Sequence, residues 1–174
     1  MPNTPNMANV TFILFPEFQM LAYVLATEIL RVANKCAGRE VCCWQTRSST
    51  HLPVQASNGA LIAPDTVDWQ DGPDADLILL CAGYDPLDHL TTRVRAFTSR
   101  ATTSHCVIGG VDTGTVILAE LGLLDGAKAV LHYEAEAAFR ERWPDIEITD
   151  QIYCLDGRRL TAAGGTATGD RPHE

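Results

Sequence analysis

The stretch from Gly109 to Gly126, which reads GGVDTGTVILAELGLLDG, constrains the fold of this chain more than any other segment. A short apolar run precedes its two glycines. The residues that follow recur at the spacing of an amphipathic helix: Ile117, Leu118, Leu121 and Leu124. A strand that turns sharply into a helix needs small residues around the turn, and the residue at the tip is held at the helix N-terminus. We therefore predict a strand–elbow–helix unit with Asp112 at its tip.

Asp112 stands where an enzyme with such an elbow carries a nucleophilic serine or cysteine. A carboxylate is poorly suited to acyl transfer, whereas the positive end of a helix stabilises it and a cationic ligand attracts it. The alternative role for this side chain is to cap the helix. Because the turn has little structural need for an acid, the sequence favours a carboxylate that faces a ligand. Thr113, the next residue, belongs to the same predicted binding position.

Short apolar segments alternate with helical patterns along the chain. The predicted strands cover residues 10–15, 41–47, 74–81, 106–109, 129–131, 146–149, 152–155 and 159–162, and short strands flank Asn58-Gly59. Besides the elbow helix, the predicted helices cover residues 16–38, 86–99 and 134–142. This alternation predicts an α/β fold, a three-layer sandwich with a mostly parallel central sheet and helices on both faces. The expected buried face of the first helix is formed by Phe18, Leu21, Leu25, Ile29 and Val32.

Several polar and aromatic residues fall at the predicted strand ends, where the ligand crevice of a parallel sheet lies. They are Phe15, Gly83, Tyr84, Asp112, His132 and Tyr133. The aromatic rings offer faces to a quaternary ammonium or guanidinium group, with core packing as the alternative role for each of them. His132 can donate a hydrogen bond to a ligand carboxylate. We expect these residues to converge on one pocket.

Glu28 lies on the predicted helix 16–38, next to its apolar face. Two positions are open for it: on the surface, or turned into the same pocket as Asp112. Two carboxylates within about 4–6 Å oppose each other's ionisation, so one pKa would rise. Glu28 would then hold the proton, because the helix N-terminus stabilises Asp112 as an anion. A bound cation would favour both groups as anions.

Composition limits the remaining possibilities. The 174 residues suit a single domain over 1–174, and the formal net charge of −9 argues against direct binding to nucleic acid. The sequence has neither an apolar run of about 20 residues nor a signal-peptide pattern at its start, so we expect a cytoplasmic protein without membrane contact. The six cysteines form no C-x-x-C pair and the five histidines are scattered. We expect no metal site and no cofactor.

The segments FILFPEFQMLAYVLATEILRVAN, SNGALIAP, DLILLCAGY, the elbow, LHYEAEAAFRERWPD and YCLDGRRLTAAGGTA occur in this order over nearly the whole chain. Together they resemble the class I glutamine amidotransferase-like (ThiJ/PfpI) fold, a flavodoxin-like sandwich, in the version that forms the N-terminal sensor of AraC-family transcription regulators. The match places Asp112 at the position of the elbow cysteine of the enzymes, and Glu28 at the position of their helix-one glutamate.

An aspartate at the elbow resembles the regulator branch that senses arginine, glycine betaine or carnitine. The resemblance therefore implies binding of a small inducer without turnover and without catalytic residues. It also implies a homodimer that reaches DNA only through a helix-turn-helix domain, which this chain lacks. The alternative is a ThiJ/PfpI-type hydrolase, hydratase or isomerase that uses Glu28 and Asp112 as acid and base.

Overall fold

A six-stranded sheet forms the centre of the computed structural model, which describes residues 7–50, 52–69 and 75–165. Its strands are β1 (Ala8–Leu14), β2 (Cys42–Ser48), β5 (Leu77–Ala82), β6 (Val107–Asp112), β9 (Tyr153–Asp156) and β10 (Arg159–Ala162). They lie in the order β2-β1-β5-β6-β10-β9. Every neighbouring pair is parallel except β9 and β10, which form a hairpin. The mostly parallel sheet is therefore confirmed.

Two small sheets accompany the central one. The strands β3 (Val54–Gln55) and β4 (Leu61–Ile62) form an antiparallel hairpin. Its turn includes Asn58 and Gly59, and Gly59 has a left-handed backbone with φ of 85°. The second sheet pairs β7 (Lys128–Ala129) with β8 (Glu147–Ile148) in parallel. The predicted Asn-Gly turn is thus confirmed.

Four α-helices connect the strands: α1 (Met20–Ala37), α2 (Thr92–Thr102), α3 (Gly114–Glu120) and α4 (Tyr133–Arg142). A short 3₁₀ turn over Pro86–His89 precedes α2, so the predicted helix 86–99 is divided in two. The division follows from Thr91, whose side chain accepts a hydrogen bond from the Val94 N–H and starts a new helix. None of the helices within the described ranges has the length and hydropathy needed to cross a membrane.

In the described part of the chain, the core has two large parts, one on each face of the central sheet, and a small third cluster of Val130, Cys154 and Ala163. On one face, buried side chains of α2, α3 and α4, including Phe97, Leu118 and Phe139, pack with alternate strand residues such as Ile78. On the other face, α1 and the β3–β4 hairpin pack over the alternate set, and the rings of Phe12 and Tyr23 meet edge to face at 5.3 Å. The three-layer sandwich with helices on both faces is therefore confirmed, although the helices are unevenly divided between the two faces.

The predicted orientation of α1 is wrong. Four of the residues expected on its buried face are exposed, namely Leu21, Leu25, Ile29 and Val32. Ile29 is 68% exposed, whereas Tyr23, Ala26 and Leu30 pack against the sheet. Phe18 is fully buried but precedes the helix. The error has a physical cause: α1 is apolar on two faces, and periodicity alone does not show which face meets the sheet.

Candidate functional site

The predicted elbow is formed at the junction of β6 and α3. Asp112 has a φ of 57°, a left-handed conformation that is uncommon for residues other than glycine. Its glycine neighbours allow α3 to lie close to the sheet. A Cβ atom on Gly110 would lie 2.5 Å from the carbonyl carbon of Gly114, and one on Gly114 would lie 2.0 Å from the carbonyl oxygen of Leu80. The small residues of the motif are therefore required by backbone-to-backbone packing.

A cleft of about 560 Å³ opens beside the elbow, at the carboxyl ends of the parallel strands. It is bounded by the segments that follow β1, β5 and β6 and by the first turns of α4. The lining residues are Glu17, Gln19, Ser57, Gly83, Tyr84, Asp85, Pro86, Asp112, Thr113, Val116, His132, Tyr133, Glu134, Ala135 and Ala138. Six of the eight residues predicted for the site are among them: Gly83, Tyr84, Asp112, Thr113, His132 and Tyr133.

Asp112 is the most electrostatically perturbed carboxylate of the cleft. Burial raises its pKa from the ordinary value of 3.8 to about 6. The charge of His132 and the backbone N–H of Thr113 act in the opposite direction, while Glu134 raises the pKa further. At neutral pH, Asp112 is therefore an anion held in a partly dehydrated position. Such a group is stabilised when a cation binds beside it.

Gly83 and Thr113 fix the geometry around this carboxylate. The Thr113 hydroxyl donates a hydrogen bond to the carbonyl of Gly83, which joins the end of β5 to the elbow. A Cβ atom on Gly83 would lie only 1.9 Å from the carbonyl oxygen of Glu17, so any larger residue would push apart the segments after β1 and β5. Both residues therefore determine the shape of the cleft beside Asp112.

Besides Glu134, which the sequence also did not predict, two further acidic residues line the cleft without having been predicted: Glu17 and Asp85. Their φ angles are 61° and 47°. In the described part of the chain, Glu17, Asp85 and Asp112 are the non-glycine residues with a left-handed backbone, and all three border this cleft. Backbone strain of this kind concentrates at functional sites. A weak signal was available, since Glu17 and Asp85 each lie within three residues of a strand end.

The aromatic side chains of the cleft lie at its edge. Tyr84 is 72% exposed, and the ring of Tyr133 lies 4.7 Å from that of His132. The Nδ1 atom of His132 is 3.9 Å from a carboxylate oxygen of Glu134. Among the described residues, no lysine or arginine lines the cleft. The site therefore combines acidic groups with accessible ring faces, which is a suitable environment for a cation.

Phe15 and Glu28 do not line the cleft, contrary to the prediction that both belong to the site. Phe15 is fully buried among the side chains that α2, α3 and α4 cover. Glu28 lies on the exposed face of α1, 2.7 Å from the Arg31 guanidinium, whose hydrogen bonds lower the pKa of the carboxyl. The two-carboxylate pair of Glu28 and Asp112 is therefore not formed.

Comparison with known proteins agrees with this architecture. The model of the DJ-1/PfpI family matches residues 8–170. The chain is 39% identical over 159 residues to the HTH-type transcriptional regulator CdhR of Pseudomonas aeruginosa, an alignment that covers 91% of the chain and 47% of the regulator. It is 30% identical over 168 residues to the isonitrile hydratase of Pseudomonas putida, covering 91% of the chain and 66% of that enzyme.

Among solved structures, an AraC family transcriptional regulator from Pseudomonas putida superposes with a TM-score of 0.80 at 24% identity. The superposition covers 93% of this chain and 85% of the other. The fold is therefore shared with regulators. The chain spans about half the length of the curated regulator that it matches.

Proposed function

Since this chain belongs to the DJ-1/PfpI family, we propose that it is the ligand-sensing domain of an AraC-type transcription regulator. The domain binds a small cationic or zwitterionic metabolite, of the arginine, betaine or carnitine class, and does not turn it over. It acts in the cytoplasm without a cofactor, and a helix-turn-helix domain outside this chain contacts DNA.

The observation that carries this proposal is the carboxylate at the elbow. Asp112 occupies the tip of the turn and borders the cleft, and although burial raises its pKa to about 6 it is an anion at neutral pH. A nucleophilic cysteine or serine at this tip would support covalent catalysis, and Asp112 replaces it. Tyr84 and Tyr133 add ring faces within the same cleft, and each contributes about 0.5–2 kcal/mol when it packs against a cation.

One observation favours a second candidate, an enzyme of the hydratase, hydrolase or isomerase type. A carboxyl group with a pKa of about 6 is suited to general acid–base catalysis, and the chain is related to a hydratase. The acid–base partner of Asp112 would then be His132 rather than Glu28, which lies on the outer face of α1.

The two functions are separated by measuring binding and turnover on the same protein. We expect arginine, glycine betaine, carnitine or choline to raise the melting temperature. A ligand at 100 times its Kd adds about 2.7 kcal/mol, or roughly 5 °C or more for a domain of this size. Asp112→Asn should abolish the shift, whereas the exposed Glu28→Gln should keep it. Chemical conversion of a bound ligand, followed by NMR and lost in Asp112→Asn, would instead establish the enzyme.

We also propose that the domain forms a homodimer through the exposed face of α1. Five large aliphatic residues lie there: Leu21, Val24, Leu25, Ile29 and Val32. A stripe along one helix is self-complementary when two copies pack antiparallel about a two-fold axis. The charged side chains of α1 are Glu28, Arg31 and Lys35, so this helix lacks the net negative charge that makes two copies of the chain repel.

A further inference from the structure

The lining of the cleft has an unbalanced charge. Four carboxylates border it, those of Glu17, Asp85, Asp112 and Glu134, and the only base among the described lining residues is His132. A zwitterionic ligand would bring a carboxylate of its own into this space. Its negative charge would meet four others and a single histidine, so electrostatic repulsion disfavours it.

The carboxylates occupy two levels of the cleft. Asp112 is partly buried beside the elbow, and His132 and Glu134 are the charges that act on it. Glu17 and Asp85 are exposed at the mouth, on the segments that follow β1 and β5. The cleft, at about 560 Å³, has room for an aliphatic chain between the two levels.

Backbone contacts fix the main chain at the two outer acidic residues. The Glu17 N–H donates to the Gln55 carbonyl at 2.8 Å, and the carbonyl of Glu17 lies against Gly83. The Asp85 carbonyl accepts a hydrogen bond from the Asp88 N–H at 3.1 Å. Within the described part of the chain, neither Glu17 nor Asp85 forms an ion pair with a lysine or arginine. Both are available to a ligand.

We propose that the ligand of this cleft carries two separated positive charges and no carboxylate, as an aliphatic diamine or an aminoalkyl guanidine does. One cationic group binds Asp112 beside His132 and Glu134. The second binds between Glu17 and Asp85 at the mouth, where the exposed ring of Tyr84 lies. This inference rests on the proposed function, since it concerns the ligand of the same site: it keeps the cationic ligand and excludes the zwitterionic compounds, arginine, betaine and carnitine among them.

The test uses pairs of compounds that differ only in a carboxylate. Calorimetry at constant ionic strength compares agmatine with arginine and cadaverine with lysine. We expect each decarboxylated compound to bind with a Kd at least about tenfold lower than that of its amino acid. Glu17→Gln and Asp85→Asn should reduce the ratio of agmatine affinity to choline affinity. Asp112→Asn should weaken both ligands, and Glu28→Gln should leave both unchanged.

The outcomes separate this inference from the function beneath it. If arginine binds as tightly as agmatine, the inference is overturned while the cation-binding sensor stands. The inference is also overturned if Glu17→Gln and Asp85→Asn leave the ratio of agmatine affinity to choline affinity unchanged. If no cation binds to a protein whose circular dichroism shows it to be folded, the sensor and the inference fail together.

Discussion

Replacing Asp112 by asparagine should make the ligand-free domain more stable, and by an amount that depends on pH. The carboxyl ionises near pH 3.8 in the unfolded chain and near pH 6 in the folded one. Between these values the folded protein retains a proton that the unfolded chain has released. The free energy of unfolding therefore falls as the pH rises through this window. Below it both states are protonated and the penalty is absent, whereas above it the full penalty remains.

The size of the effect follows from the same two values. Linkage gives a penalty of about 3 kcal/mol at pH 7.5 and about 1 kcal/mol at pH 4.5. Asparagine keeps the shape of the side chain, tolerates the left-handed backbone and removes the ionisation. Asp112→Asn should thus gain up to about 3 kcal/mol at pH 7.5 and clearly less at pH 4.5.

Urea unfolding at the two pH values measures both numbers. Asp125→Asn, which removes an exposed aspartate outside the cleft, is the matched control for the loss of one negative charge. The reasoning is refuted if Asp112→Asn is no more stable than the wild type at pH 7.5. It is also refuted if the gain in stability is the same at pH 4.5, because the penalty would then not arise from ionisation.

Three further perturbations test other parts of the structure. Ile29→Glu should convert the dimer into a folded monomer, as measured by light scattering. Leu52→Glu, at an exposed site outside α1, is the control and should leave the dimer intact. A monomeric wild type would contradict the proposed interface. Gly83→Ala should destabilise the fold by about 1–3 kcal/mol in urea, because its methyl group would overlap the Glu17 carbonyl. Glu28→Gln should leave ligand affinity unchanged in calorimetry, and a marked loss would return this carboxylate to the site.

The sequence predicted best what depends on local chemistry. The elbow could be identified because Gly110 and Gly114 are needed wherever a helix turns tightly back onto its own strand. The hairpin at Asn58-Gly59 could be identified because the glycine takes up a left-handed backbone. The parallel strands β5 and β6 then brought Gly83 and Asp112 to one edge of the central sheet, as the general rule for such sheets requires. His132 reaches the same cleft from the segment between β7, which belongs to a separate small sheet, and α4.

The predictions that were wrong concern features that are set by contacts between distant segments of the chain. Leu25 and Ile29 fit a buried helical face as well as Ala26 and Leu30 do, and only the packing against the sheet decides between the two sets. The two positions open for Glu28, on the surface or in the pocket, could not be separated from the sequence for the same reason. Glu17 enters the cleft because Gly83 lets two strand ends approach each other. Its position near a strand end is only a weak local indication of this contact.

The elbow also explains why ligand binding and intrinsic stability oppose each other in this domain. Asp112 combines a left-handed backbone with a dehydrated charge, and both raise the free energy of the ligand-free state. A cation relieves the electrostatic part of this penalty, whereas nothing in asparagine attracts the cation. The order of stability should therefore invert. Without ligand, the Asp112→Asn variant is the more stable protein. As the ligand concentration rises, the wild type becomes the more stable one, because the ligand binds more tightly to the form that retains the carboxylate.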